Sequence, residues 1–237
     1  MNILITGASR GIGFELAKQF CKNSNNTIIV TARSIDKLNH LKRECIDNKL
    51  TSNIIPIECD LESIESISKL STEIQKHCSS IDILINNAGA ISNKPFLELK
   101  AQDIQKVYQV NVFSVIALIQ QLFPLLKKAS QKAHVINISS IGGIQGSVKF
   151  SGLSAYSSSK AALVCLTECL AEEFKNENIA FNCLALGAVQ TEMLNEAFPG
   201  YQAPINANQM AEFIANFSLN AQQYMNGKII PVSLSTP

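Results

Sequence analysis

The chain opens Asn2-Ile3-Leu4-Ile5-Thr6-Gly7-Ala8-Ser9-Arg10-Gly11-Ile12-Gly13-Phe14-Glu15-Leu16-Ala17. Residues 2–5 form a short apolar run without polar alternation, the pattern of a strand covered on both faces. Glycines at 7, 11 and 13 then interrupt it, and helical spacing begins with Phe14, Ala17 and Phe20. Strand, glycine turn and helix make the first unit of a parallel sheet.

The same alternation continues outward. Further β-branched runs lie at residues 27–31, 53–57, 81–85, 134–138, 179–184 and 228–232. Between them, Leu38, Leu41 and Cys45 mark one helix, and Ile64, Ile67, Leu70 and Ile74 mark another. Longer helices are predicted over residues 101–124 and 154–174. Strands and helices at this pitch imply an α/β fold, a doubly wound parallel sheet of Rossmann type. No repeat or Gly/Ser linker divides the 237 residues, so one domain is expected over 1–237. Its least regular part is 193–208, broken by Pro199-Gly200 and Pro204. A functional flap is expected over about 191–208.

Composition narrows the class. Hydrophobic residues make up 46% and charged residues 16%, with a formal net charge of +1. Nothing in that balance points to nucleic acid or a membrane surface. No apolar run approaches the roughly 18 residues a bilayer span needs. A chain that begins as a buried strand leaves no room for a signal peptide, so a cytoplasmic location is expected. Seven scattered cysteines and three histidines fit neither a disulfide framework nor a metal site. Cys165 and Cys169 share a helix face and read as core or helix-contact residues.

The glycine turn carries the first functional signal. Spaced Gly-x-x-x-Gly-x-Gly around Ser9, Arg10 and Ile12, it lets backbone approach a ligand closely. The following helix offers free N–H groups and a positive dipole end to phosphates. Open parallel sheets bind ligands beyond the carboxyl ends of their strands, where Arg33 follows the second strand and Asp60, with Leu61, follows the third. The second strand ends without an acid to hold a ribose 2′-hydroxyl. Arg10 and Arg33 are instead suited to clamp a 2′-phosphate, which favours NADP(H) over NAD(H).

The second signal comes from the later strand ends: Asn86-Asn87-Ala88-Gly89, then Ser139-Ser140-Ile141-Gly142-Gly143, then Tyr156-Ser-Ser-Ser-Lys160. A Tyr and a Lys four apart share a helix face. A free tyrosine, with a pKa near ~10, is a poor acid–base group at neutral pH. A neighbouring ammonium, together with an oxidised nicotinamide, is expected to bring it down.

With Thr6-Gly-x-x-x-Gly-Ile-Gly13, Asp60, Asn86-Asn-Ala-Gly89, Asn111, Ser140 and Tyr156-x-x-x-Lys160 in this order, the chain resembles the short-chain dehydrogenase/reductase family from residue 2 to about 191. The resemblance implies a single-domain oxidoreductase that reduces a ketone or aldehyde, or oxidises the alcohol, with NADP(H). Tyr156 would be the acid–base, Lys160 would hold the nicotinamide ribose and lower the tyrosine pKa, and Ser140 would orient the carbonyl. Ser140 is chosen over Ser139 because the family places its serine immediately before the apolar-glycine turn. Asn111 would keep a water in the proton relay. Asp60 would meet the adenine, Asn87, Ala88 and Gly89 would line the cleft, and Gly187, Val189 and Thr191 would contact the nicotinamide end. A homodimer or homotetramer through the 101–124 and 154–174 helices is implied too.

Three departures stand out. Leu186 replaces the usual proline before Gly187, which is expected to loosen that turn. The 141–155 stretch is longer and glycine-rich, and is expected to make a mobile rim. The tail ends without the family's acidic-glycine pattern. Leu186 also keeps open a reading as an idle NADP(H)-binding regulator or scaffold. The substrate is not legible beyond apolar rim residues such as Phe96, Phe150, Phe198 and Tyr201, which suggest an apolar or modest-sized carbonyl.

Overall fold

The computed structural model describes residues 1–23, 25–48, 50 and 53–234. The end of the tail, residues 235–237, lies outside the described residues. Seven parallel strands form the sheet: β1 (Asn2–Thr6), β2 (Thr27–Ala32), β3 (Asn53–Glu58), β4 (Ile83–Asn86), β5 (Ala133–Ser140), β6 (Ile179–Leu186) and, after a break, β9 (Ile229–Val232). Their spatial order is β3-β2-β1-β4-β5-β6-β9. The winding direction therefore reverses between β1 and β4, which opens a crevice at their carboxyl ends.

Strand residues alternate between two apolar layers, which is why the runs show no polar alternation. Ile3 and Ile5 face Leu16, Phe20, Leu38, Leu41 and Ile214. These come from helices α1 (Gly11–Cys21), α2 (Ile35–Asp47) and α8 (Ala207–Asn220). Leu4 and Ile29 face the opposite layer with Ile67, Leu70, Leu118, Leu122 and Leu163. That layer is built by α3 (Ile64–His77), α4 (Ala101–Tyr108), α5 (Ser114–Leu126) and α6 (Ser154–Glu173). A π-type turn over Gln109–Phe113 joins α4 to α5.

Helix starts follow local chemistry. Ser34 accepts from the Lys37 N–H, Ser63 from the Ser66 N–H, and Asn206 forms a reciprocal box with Gln209. The start of α1 has neither a side-chain cap nor an acid in its first turn.

Three expectations are corrected. The continuous helical run Ala101–Leu126 is long and apolar enough, by length and composition, to span a bilayer. Half of its apolar window is nevertheless buried, with α5 packed on α3 and α4 on α6, as a core helix packs. The 193–208 stretch is not irregular throughout. It holds α7 (Glu192–Ala197), and a two-residue strand β8 (Ile205–Asn206) that pairs with β7 (Val189–Gln190). Cys165 and Cys169 are exposed, not core. The buried stripe of α6 runs through Ser159, Lys160, Leu163, Thr167 and Ala171, and the two thiols fall outside it.

Candidate active site

The glycine turn sits where the reversal puts it, and its geometry comes from backbone contacts. The Gly7 and Ala8 N–H groups both donate to the Thr31 carbonyl of β2, at 2.8 and 3.2 Å. Gly7 and Gly11 take positive φ, +71° and +58°, which side chains resist. A Cβ on Gly13 would collide with the Gly7 carbonyl oxygen. The β4 loop closes the other side. Thr6 Oγ1 accepts from the Asn87 and Ala88 N–H groups, each at 3.0 Å, and the Asn87 amide donates to the Thr6 carbonyl at 2.9 Å. Asn87 thus acts through its side chain on the glycine turn as well as through its backbone.

These features fit a dinucleotide. The uncapped α1 start leaves N–H donors for a pyrophosphate. A Cβ on Gly89 would stand 3.6 Å from both the Asn111 Oδ1 and the Lys160 Nζ, so glycine keeps the approach to those two groups open. Just beyond β3, Asp60 is exposed and accepts from the Glu62 N–H at 3.0 Å. Leu61 is buried, and its carbonyl accepts from the Gln109 amide. Both arginines hold acids: Arg10 pairs with Glu196 of α7, and Arg33 with Glu62 at 3.4 Å.

The chemistry end is assembled by β5 and α6. Ser140 closes β5, and its Oγ accepts from the Gly142 N–H at 3.2 Å. It also lies near the Tyr156 hydroxyl, close enough to favour the phenolate. Ser139 is spent elsewhere, donating to the Lys160 carbonyl at 2.9 Å. Lys160 is buried, with Nζ 5.8 Å from the centre of the Tyr156 ring and 2.8 Å from the Ile138 carbonyl it donates to. Desolvation pushes its ammonium down to about 8.

The expected fall in the tyrosine pKa is not produced by the chain itself. Desolvation raises the phenol above its ordinary value, and the neighbouring Ser140 hydroxyl opposes this only in part. Lys160 Nζ lies 5.8 Å from the centre of the ring and donates one hydrogen bond to the Ile138 carbonyl, which leaves its charge intact. Asn111 is fully buried in the π turn. Its Oδ1 accepts from the Ala90 N–H, and its amide donates to the Ala90 carbonyl and to Ser159 Oγ. Single extra-residue turns of this kind recur at functional sites.

Leu186 does not loosen its turn. It stays in the β6–β9 ladder opposite Val232, and the Gly187 N–H donates to the Val232 carbonyl at 2.9 Å. Val189 lies in β7, and Thr191 caps α7 by accepting from the Leu194 N–H. The glycine-rich 141–153 rim is tied down by Ser147, whose hydroxyl hydrogen-bonds the Ile141 and Ile144 carbonyls.

Residues 1–202 match the family model described as short chain dehydrogenase. The chain is a short-chain dehydrogenase. This short-chain dehydrogenase is 33% identical to the 3-oxoacyl-[acyl-carrier-protein] reductase FabG of Aquifex aeolicus, over 97% of its own length and 94% of that protein's. It is 30% identical to the NADP-dependent 3-hydroxy acid dehydrogenase of Schizosaccharomyces pombe, covering 84% of this chain and 75% of the other. Among solved structures it is similar to the Pseudomonas aeruginosa RhlG/NADP active-site complex, at 30% identity and a TM-score of 0.84, with 98% and 94% of the two chains covered.

Sequence reasoning passed over several residues of the short-chain dehydrogenase's site. Ser159 was read only as spacing between Tyr156 and Lys160, yet it anchors Asn111. Asn93 donates to the Ala197 carbonyl at the end of α7, and Glu196 reaches Arg10 across 186 positions. No local pattern marks either one.

Proposed function

We propose that this short-chain dehydrogenase is an NADP(H)-preferring carbonyl reductase with Tyr156 as its acid–base. The observation that carries the reading is the convergence of Ser140 at the end of β5 with Tyr156 and the buried Lys160, whose Nζ lies 5.8 Å from the tyrosine ring. When bound, the nicotinamide cofactor supplies the hydride that reduces the carbonyl carbon. Ser140 and Tyr156 hold the carbonyl oxygen between two hydroxyls, and the tyrosine proton passes to that oxygen as the alcohol forms. A phenol kept protonated by burial is ready for this direction. Lys160 stabilises the phenolate left behind and holds the nicotinamide ribose. Asn111 spends both amide hydrogens on the chain, so it enters as a positioning residue that fixes the turn beside the proton relay.

The preference for the 2′-phosphorylated cofactor rests on Arg10 and Arg33 at adjoining strand ends, with support from the NADP complex and the NADP-dependent relative. An apolar carbonyl substrate is supported by a cavity of about 550 Å³ lined by Phe96, Ile144, Phe150 and Leu153. Gly142 separates it from the chemistry: a Cβ there would stand 3.0 Å from Ser157 Oγ and 3.7 Å from Ser140 Oγ. The 3-oxoacyl reductase likeness argues for including 3-oxoacyl thioesters among the compounds tried. Assembly as a homodimer or homotetramer through α4, α5 and α6 completes the proposal.

The test is NADPH oxidation by wild type and Tyr156→Phe against a carbonyl panel, with NADPH and NADH binding titrated alongside. Turnover is expected to fall by a factor on the order of 10²–10⁴ in the variant while NADPH affinity holds. A wild type that binds neither cofactor would end the reading.

A further inference from the structure

Arg10 stands at the start of α1, where the proposed cofactor would present its 2′-phosphate, but its guanidinium already has an anionic partner. Both terminal nitrogens face the two carboxylate oxygens of Glu196, one Nη2–Oε2 contact measuring 3.2 Å, in the fork geometry that guanidinium also uses for phosphate. The carboxylate comes from α7, the helix of the flap. Glu192, on the same helix, adds a second negative charge facing Arg10, and Lys37 adds a positive charge on the Glu196 side. The flap also touches the glycine turn: a Cβ on Gly11 would stand 3.3 Å from Thr191 Cγ2 and 3.5 Å from Glu192 Oε2. At the far end of α7, Asn93 holds the Ala197 carbonyl at 2.8 Å. The flap is thus latched at two points, and one latch consists of the group meant for the cofactor.

We propose that Glu196 is a built-in competitor for the cofactor's 2′-phosphate: its carboxylate occupies Arg10 in the free enzyme, NADP(H) must displace it, and it sets how strongly NADP(H) is preferred over NAD(H). This rests on the reading of Arg10 as a 2′-phosphate ligand. NAD(H) has no group to exchange for the carboxylate, so it binds with the latch in place. NADP(H) breaks the latch on entering, which ties cofactor loading to freeing one end of α7. Glu62 stands to Arg33 as Glu196 stands to Arg10, but it lies at the foot of α3 and carries no flap with it.

The experiment is a binding cycle read by NADPH and NADH titration, with no turnover required. Glu196→Gln is expected to tighten NADPH about two- to fivefold, the range an exposed ion pair can oppose, and to leave NADH unchanged. Arg10→Ala is expected to weaken NADPH selectively, and in that background Glu196→Gln should have no further effect. Equal NADPH-to-NADH ratios in wild type and Glu196→Gln, with Arg10→Ala still weakening NADPH, would overturn the competitor role alone. If Arg10→Ala leaves the ratio untouched as well, the 2′-phosphate reading falls, and the competitor with it.

Discussion

His134 spends both ring nitrogens inside the protein. It is fully buried on β5, with Nδ1 3.0 Å from the Ser218 carbonyl and Nε2 3.0 Å from the Asn182 amide. The first contact needs a proton on Nδ1 and the second needs a lone pair on Nε2, so the neutral ring with Nδ1–H satisfies both. Burial pushes its pKa down to about 4 from the ordinary 6.5. The unfolded chain therefore binds a proton that the folded chain refuses, and the stability from this site is full above about pH 6.5 and lost as pH falls toward 4. The loss amounts to about 3 kcal/mol. The imidazole resonances of His134 are expected to stay flat from pH 8 to 5, with urea midpoints falling below pH 6.5. A ring that titrates near 6.5 in the native protein would refute this. The residue scale also shows the limit of sequence reading at the site. A Tyr and a Lys four apart are common on helices, so Tyr156 and Lys160 stand out only together with the glycine turn, Asn111 and Ser140, and the desolvation that raises the phenol leaves no mark in the sequence.

At the scale of elements, the turn Ile141–Gly143 packs tightly against α6. A Cβ on Gly143 would stand 2.7 Å from the Lys160 carbonyl carbon and 2.8 Å from the Ala161 nitrogen, both backbone atoms that cannot swing aside. Gly143→Ala must therefore lift the turn from α6 and carry Ser140 away from Tyr156. Displacements near 1 Å cost about 10²-fold in well-oriented sites, so kcat is expected to fall by at least tenfold. NADPH affinity and circular dichroism should hold. A variant with wild-type kcat would show that the joint does not set the Ser140–Tyr156 distance. The strands that frame this joint were legible because two helix layers demand apolar residues on both faces, as with Ile3, Leu4 and Ile5. What escaped reading was structure without periodicity. The π turn at Asn111 differs from its flanking helices only by one extra residue in a hydrogen-bonded ring. Six-residue α7 buries none of its side chains, so it leaves no apolar stripe to find. The closeness of Gly143 to α6 depends on Lys160 and Ala161, seventeen and eighteen residues further along the chain.

For the whole molecule, the question is what covers the outer face of α6. In the single chain Cys165 and Cys169 are exposed, and so are Ile104 and Phe113 on the neighbouring α4–α5 run. These are the helices through which assembly is proposed. If the face is free, a charge placed at 169 is an ordinary surface change, worth within about ±0.5 kcal/mol. If it is buried against a second copy, the same charge is desolvated without a partner and the assembly fails. Sedimentation of wild type is expected to give a dimer or tetramer mass, and Cys169→Arg a smaller species with its fold intact. The thiols provide an independent readout. Cys21, Cys45, Cys59 and Cys183 are buried within the chain, so they stay protected whatever the assembly state. Cys165 should be slow toward a thiol reagent in wild type and fast in Cys169→Arg. A wild type that sediments as a monomer, with Cys165 and Cys169 reacting at once, would show that the face is open and the assembly proposal wrong. The active site, built wholly within one chain, would stand in either case.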